Sequence, residues 1–188
     1  MRRNENHDED GLMKTTTEQL LRDYFHAKDE NRPWYMARAF APDARLSMVL
    51  KTQAIDFPSE VAGEPAIADT LSRAFGQTYD NVYTFYLDRP APGAVLDAFS
   101  CDWMVAMTEK ATGKVRVGCG RYDWRFQADP HLVKHLTITI ESMATLPADT
   151  MPVVFGWITA LPYPWLERAA LDGMPAVPGL ENLRWLTR

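Results

Sequence analysis

Three long adjacent stretches constrain this chain more than anything else in it: Val95–Thr108, Lys114–Gln127 and Leu132–Thr145. Each is rich in Val, Ile, Thr, Trp, Tyr and Phe, and each outruns the usual strand of about 5–6 residues. The segments joining them, Glu109–Gly113 and Ala128–His131, are short and polar, so the three read as an antiparallel meander. A curved sheet of this size leaves a hollow. The residues before it are patterned to fill that hollow.

Centred on Ala111 and Thr112, the first hairpin pairs Trp103 with Gly120, Val105 with Gly118, Cys101 with Tyr122 and Phe99 with Trp124. Aromatic side chains opposite glycines cover the gap a glycine leaves in a sheet. The other face carries Met104 opposite Cys119 and Asp102 opposite Arg121, with Asp123 diagonal to Asp102. A tight second turn that sets Gln127 against Leu132 then adds Leu136, Ile138 and Ile140 to the face of Cys119 and Arg121. One face is thus aliphatic with a small knot of charge, and the other is aromatic.

Upstream, Thr16 and Gln19 form a capping box for a helix from about Thr17 to Asp29, with Leu20, Leu21, Tyr24, Phe25 and Lys28 in one stripe. Pro33 opens a second helix through Ala41, which Pro42 ends. Arg45–Lys51 is a short strand. Gly63-Glu64-Pro65 opens a third helix, with Ile67, Leu71 and Phe75 on one side and Gly76 as its stop. Val82–Leu87 is a strand. After Leu146 a helix spans Thr150–Leu161, and Pro162, Pro164, Pro175 and Pro178 cut the tail into short pieces. Phe155, Trp157, Trp165, Leu166 and Trp185 are too apolar to dangle, and the aromatic sheet face is the surface they are expected to cover.

The apolar share, 46% of 188 residues, supports one well-filled domain with an extension. A net charge of −5 with no basic stripe excludes nucleic acid as the expected partner. No apolar run approaches the roughly 18 residues of a membrane span. Residues 1–13 are polar and unpatterned, are expected to be disordered, and lack the apolar core of a signal peptide. Cys101 and Cys119 fall on opposite faces, so a disulfide is not expected and a reducing cytoplasm is. His131 and His135 have no third ligand beside them, and no metal or cofactor is expected.

Tyr24-Phe25-His26-Ala27-Lys28-Asp29, then Phe40-Ala41-Pro42-Asp43-Ala44, Gly63-x-x-x-Ile67 and Gly120-Arg-Tyr-Asp-Trp-Arg-Phe resemble the nuclear transport factor 2-like superfamily and, within it, the SnoaL-like branch. That group includes scytalone dehydratase, ketosteroid isomerase and SnoaL-type polyketide cyclases. The resemblance implies an α+β fold: a cone-shaped curved antiparallel sheet closed by three N-terminal helices, over residues 14–147, with a Pro-rich C-terminal extension at 148–188 on the sheet or on a partner subunit. It also implies a pocket inside the cone. The dehydratase's helix-end Asp falls on Asp29, with Lys28 in place of its Tyr. Its His after the third helix falls near Asp80, its sheet His near Asp102 and its sheet Asn near Arg121.

The candidate catalytic residues are therefore Asp29, Asp102 and Arg121: a pocket carboxylate as general base, and a guanidinium that holds a carboxylate or enolate-like oxygen. Asp80, Asp123, Met104, Cys119, Leu136 and Ile138 are expected to line the pocket, and Trp34 its mouth. The expected ligand is a small hydrophobic or mildly polar organic molecule. Two functions stay open. One is a cofactor-independent lyase, isomerase or cyclase; the other is a non-catalytic binding module or a homodimeric interaction module, paired through the aromatic sheet face.

Overall fold

The structure, a computed structural model, describes residues 15–187; the disorder expected for residues 1–13 lies outside them. Helix α1 is Thr17–Asp29. The Thr16 Oγ1 accepts from the Gln19 N–H at 3.2 Å, while the Gln19 side chain turns to Asp23 rather than back to the cap. Helix α2 is only Trp34–Ala39, because strand β1 begins at Phe40 and runs to Leu50. Pro42 sits where the pairing of β1 slips, between Phe40 and Arg45, a place that tolerates a missing N–H. Strand β2 is Glu60–Ala62. Gly63, at φ 88°, makes the turn into α3, Glu64–Ala68. The helix then runs on through a π-helical Asp69–Ala74 into α4, Phe75–Thr78, so Gly76 lies within it rather than ending it.

Strands β3 (Tyr79–Tyr86), β4 (Ala98–Glu109), β5 (Val115–Ala128) and β6 (His131–Leu146) complete one curved sheet in the order β2-β1-β6-β5-β4-β3. The three-strand meander is present as expected. The sheet is mixed, however, because β1 runs parallel to β6. The β4–β5 pairs also match expectation, including Trp103 with Gly120 and Asp102 with Arg121. The β5–β6 register does not. It starts with Gln127 against Leu132 and then shifts twice, between Arg125 and Phe126 and between Cys119 and Gly120. The first shift leaves Lys134 as the extra residue on β6, so Leu136 faces Trp124, Ile138 faces Tyr122 and Ile140 faces Gly120. Such bulges bend a long strand and raise its twist. Here they move the β6 aliphatics onto the aromatic face, and Thr137 and Thr139 onto the face of Asp123 and Arg121.

The aromatic face is the inside of the cone. Trp103, Tyr122, Trp124 and Phe126 are buried in one cluster with Leu20, Leu21 and Tyr24 of α1 and Leu71 of the π-helical turn. A pairing of two copies through this face is thereby ruled out, since the chain's own helices occupy it. The opposite, outer face is aliphatic and forms a second cluster around Met104, Ala106, Val117 and Cys119. It is covered by α5 (Met151–Ile158) and by the turns that follow, through Val154, Ile158, Leu166, Leu171, Leu183 and Leu186. The extension therefore covers the side opposite to the one expected. Bulky rings fill a deep hollow; short leucine-rich turns suit a shallow aliphatic surface. Cys101 faces inward and Cys119 outward, and no disulfide joins them.

Candidate functional site

The inside of the cone retains a slim cavity between α1, the π-helical turn and the sheet. Its volume is about 40 Å³. Its walls come from every layer: Tyr24 and Lys28 from α1, Leu71 and Phe75 from the third helical run, Thr84 from β3, Trp103, Val105 and Met107 from β4, Tyr122 from β5, and Ile138 and Ile140 from β6. Gly118 and Gly120 are the inward positions of β5 between Arg116 and Tyr122, and the space over them is taken by the cavity-lining side chains of Met143 and Trp103. Among the described residues lining the cavity, Lys28 is the one that carries charge.

Lys28 is there because it stands one helical turn beyond Tyr24 and so shares the buried stripe of α1. Its Nζ donates to Asp29 Oδ1 at 2.6 Å and to Thr84 Oγ1 at 2.8 Å, and lies 5.0 Å above the Phe75 ring. Asp29 is the acceptor for the whole cluster. Besides Lys28 it takes the Thr84 hydroxyl at 2.9 Å, the Thr84 N–H at 2.8 Å and the Tyr163 hydroxyl at 3.0 Å. The two side chains are 7% and 1% exposed, so the pair is a buried one with its remaining valences met by neighbours, the condition under which such a pair persists. Both carboxylate oxygens of Asp29 are engaged, and the ammonium rather than the carboxylate reaches the cavity wall.

Tyr163 belongs to the C-terminal extension. Residues 163–166 run beside the edge of β3, with Tyr86 N–H donating to Pro164 O and Leu166 N–H to Tyr86 O, both at 2.8 Å. That path lays the Tyr163 ring against Phe25, Tyr83 and Phe85. Burial, followed by the Asp29 charge, pushes the Tyr163 phenol well above its ordinary range, so it stays a donor. The Tyr163→Phe variant is expected to unfold in urea with about 1–2 kcal/mol less stability, the cost of withdrawing one donor from a charged acceptor. Tyr163→Ala should cost more, through the lost ring contacts.

At the inner end of the cavity, Tyr24 and Tyr122 meet, with the Tyr24 hydroxyl donating to that of Tyr122 at 3.5 Å. Tyr86 packs on the same Tyr122 ring, centroids 5.6 Å apart. Burial raises all three phenols well above their ordinary range, which keeps them neutral donors. The Trp103 Nε1–H, also at the cavity wall, is buried and has no acceptor among the described residues. The cavity therefore presents an ammonium, two phenols, the Thr84 hydroxyl and an indole N–H in an otherwise apolar lining.

The remaining sequence candidates fall elsewhere. Asp102, Arg121 and Asp123 do form their cluster, with Arg121 3.3 Å from each carboxylate, but on the outer face, where Arg168 of the extension closes on Asp102 at 2.5 Å. The expectation that this trio looks inward toward α1 is overturned, and the reason is the face inversion described above. Met104 and Cys119 are buried in the outer cluster and line no part of the cavity. Leu136 is buried in the inner cluster without reaching the cavity wall, and Ile138 does reach it. Trp34 is 66% exposed, with the Arg38 guanidinium over its ring, away from the cavity wall. Asp80, near Lys110 at 3.5 Å, shares with Asp29 a surface cleft of about 160 Å³ that also contacts Lys28.

Of the candidate catalytic residues, Asp29 is the one that lies beside the cavity wall, bonded to Lys28 and Thr84, and those two were not among the expected site residues. Lys28 already stood in the apolar stripe of α1, where a cation among core positions is the signal. Trp103 and Tyr122 belong to the aromatic face, which lies inside the cone and not beneath the extension. Tyr163 and Thr84 left no pattern that spacing alone reveals. Among the described residues no group of His, Cys, Asp and Glu is arranged to hold a metal ion, and no helix is long and apolar enough to cross a membrane.

No protein-family model matches the chain, and no curated protein sequence matches it. Solved structures do resemble it. A nuclear transport factor 2-like superfamily protein from Salmonella enterica serovar Typhimurium superposes with TM-score 0.52 at 16% identity, over 66% of this chain and 88% of that one. A protein with a ketosteroid isomerase-like fold from Catenulispora acidiphila, solved with trimethylamine, gives 0.51 at 14%, over 66% and 85%. A hexachlorocyclohexane dehydrochlorinase gives 0.50 at 11%, over 68% and 84%. The chain has the fold these proteins share, the nuclear transport factor 2-like cone.

Proposed function

We propose that the cone cavity binds a small, mainly apolar organic molecule through one polar oxygen, and that the protein is a cofactor-independent lyase, isomerase or cyclase working by proton transfer. Lys28 is the observation that carries this reading: a single ammonium at the wall of an apolar cavity, positioned by Asp29 and Thr84, with Tyr163 holding Asp29 in turn. In a low-dielectric setting such a group polarises a carbonyl, or stabilises the enolate-like oxygen formed when a neighbouring C–H is lost, more strongly than water does. Tyr24, Tyr122 and the Trp103 N–H are placed to bind a second oxygen or a ring edge. Asp29 then acts as the positioning partner of Lys28, and is the proposed final proton acceptor: the substrate proton passes to the Thr84 hydroxyl, which lines the cavity, as that hydroxyl gives its own proton to Asp29 Oδ1. Neighbours of the same fold that are described as having ketosteroid isomerase-like architecture or dehydrochlorinase activity support this class, as does the resemblance to the SnoaL-like branch.

One observation favours the non-catalytic alternative. All the acceptor capacity of Asp29 is in use, an arrangement that a binding pocket needs as much as an enzyme does. Acetophenone in D2O separates the two. Proton transfer predicts deuterium entering its methyl group, by NMR, faster with the protein than with buffer. The gain should vanish in the Lys28→Met/Asp29→Asn double variant, in which neither half of the pair is left as an unpaired buried charge. Binding without exchange supports the alternative.

A further inference from the structure

A wider vestibule of about 570 Å³ adjoins the cavity, and the two share Ile55, Phe57 and Phe75 as walls. Arg116 forms part of the vestibule wall. It lies opposite Met107 in the β4–β5 ladder, and Met107 lines the cavity itself. The Arg116 side chain is only 8% exposed. A guanidinium has five N–H donors. Here one N–H of Nη2 goes to the Ala54 carbonyl, and Glu109 stands 3.7 Å from Nη1, beyond a direct hydrogen bond. Glu109 is held away by the Thr112 hydroxyl, which donates to its other oxygen at 2.6 Å. The Arg116 Nε–H is buried with no acceptor among the described residues. Asp56, the other acid of the vestibule, lies on its exposed side.

A cation taken out of water and left short of acceptors is costly unless a partner completes it. We propose that the vestibule is a carboxylate subsite with Arg116 as its recognition group, so that the molecule drawn into the cone is an organic acid: its apolar body lies in the cavity and its carboxylate at the mouth. This rests on the cavity reading above and adds the charge of the ligand to it. The planar fork of Arg116 suits a carboxylate, and Ile55, Phe57 and Phe75 give the intervening methylenes an apolar passage.

Two probes that differ only at the acidic end test this: 3-benzoylpropanoate and 3-benzoylpropanamide, titrated at neutral pH with tryptophan fluorescence, Trp103 being in the cavity wall. The wild-type protein is expected to bind the acid roughly tenfold tighter than the amide, the order expected for one charge-assisted contact. Arg116→Gln should erase the difference, and Glu109→Gln, which leaves the guanidinium in place without its nearest competitor, should widen it. Should Arg116→Gln fail to fold, Glu109→Gln carries the test: an unchanged preference there overturns the subsite. So does equal binding of acid and amide by the wild type, or a preference that survives in Arg116→Gln, while the cavity reading stands in each case. Binding of neither probe overturns both.

Discussion

Lys28→Met is expected to cost about 3–5 kcal/mol of folding stability, because it strands the Asp29 carboxylate in the interior with one partner gone. Asp29→Asn should cost a comparable amount by leaving the Lys28 ammonium without its counter-charge. The double variant should recover much of that loss. Its removal of both charges leaves Thr84 and Tyr163 facing a neutral amide, and the interaction energy read from the cycle should lie well outside the few tenths found for independent sites. Urea unfolding of the four proteins measures it. Single-variant losses below about 1 kcal/mol that simply add would mean that solvent reaches the pair and that Lys28 is a surface cation.

Gly120→Ala should be as damaging for a different reason. A Cβ at this position would lie 1.9 Å from the Thr139 carbonyl oxygen and 2.7 Å from Trp103 Cζ2. The first neighbour is backbone at a bulge and cannot swing aside, so the strands must part or the bulge must be lost. A loss of about 3 kcal/mol or more is expected, at the upper end for overpacking. Gly156→Ala is the control: nothing lies within 4 Å of the added methyl, and the residue sits in α5. That change should be neutral or raise stability by about 0.5–1 kcal/mol. Near-equal effects of the two substitutions would argue that β5 and β6 do not approach as described.

Much of this fold is legible in the amino-acid order. The strand runs, the hairpin pairs around Ala111–Thr112 and the start of α1 at its Thr16 cap all follow from alternation and capping chemistry. The decisive choice, which face of the sheet looks inward, was not. Charge at Asp102 and Arg121 suggested a pocket, whereas the volume of Trp103, Tyr122 and Trp124 is what a deep cone requires. A one-residue bulge at Lys134 then reversed the facing of Leu136 and Ile138, and bulges carry no fixed residue signature. The aromatic residues of the tail pointed to the aromatic face, whereas Leu166, Leu171, Leu183 and Leu186 pack on the aliphatic surface of Met104, Val117 and Cys119. Asp29, the last residue of α1, is singled out through the family resemblance. Its partners come from β3 and the extension, and contacts that distant in sequence leave no local trace.

Crystals soaked with 4-bromoacetophenone give the most direct test of the Lys28 site, since bromine can be located by its anomalous scattering. The bromine is expected inside the cone beside Trp103 and Met107, with the carbonyl oxygen about 2.7–3.2 Å from Lys28 Nζ. Bromine on the outer face beside Asp102 and Arg121, or a carbonyl turned away from Lys28, would contradict the account.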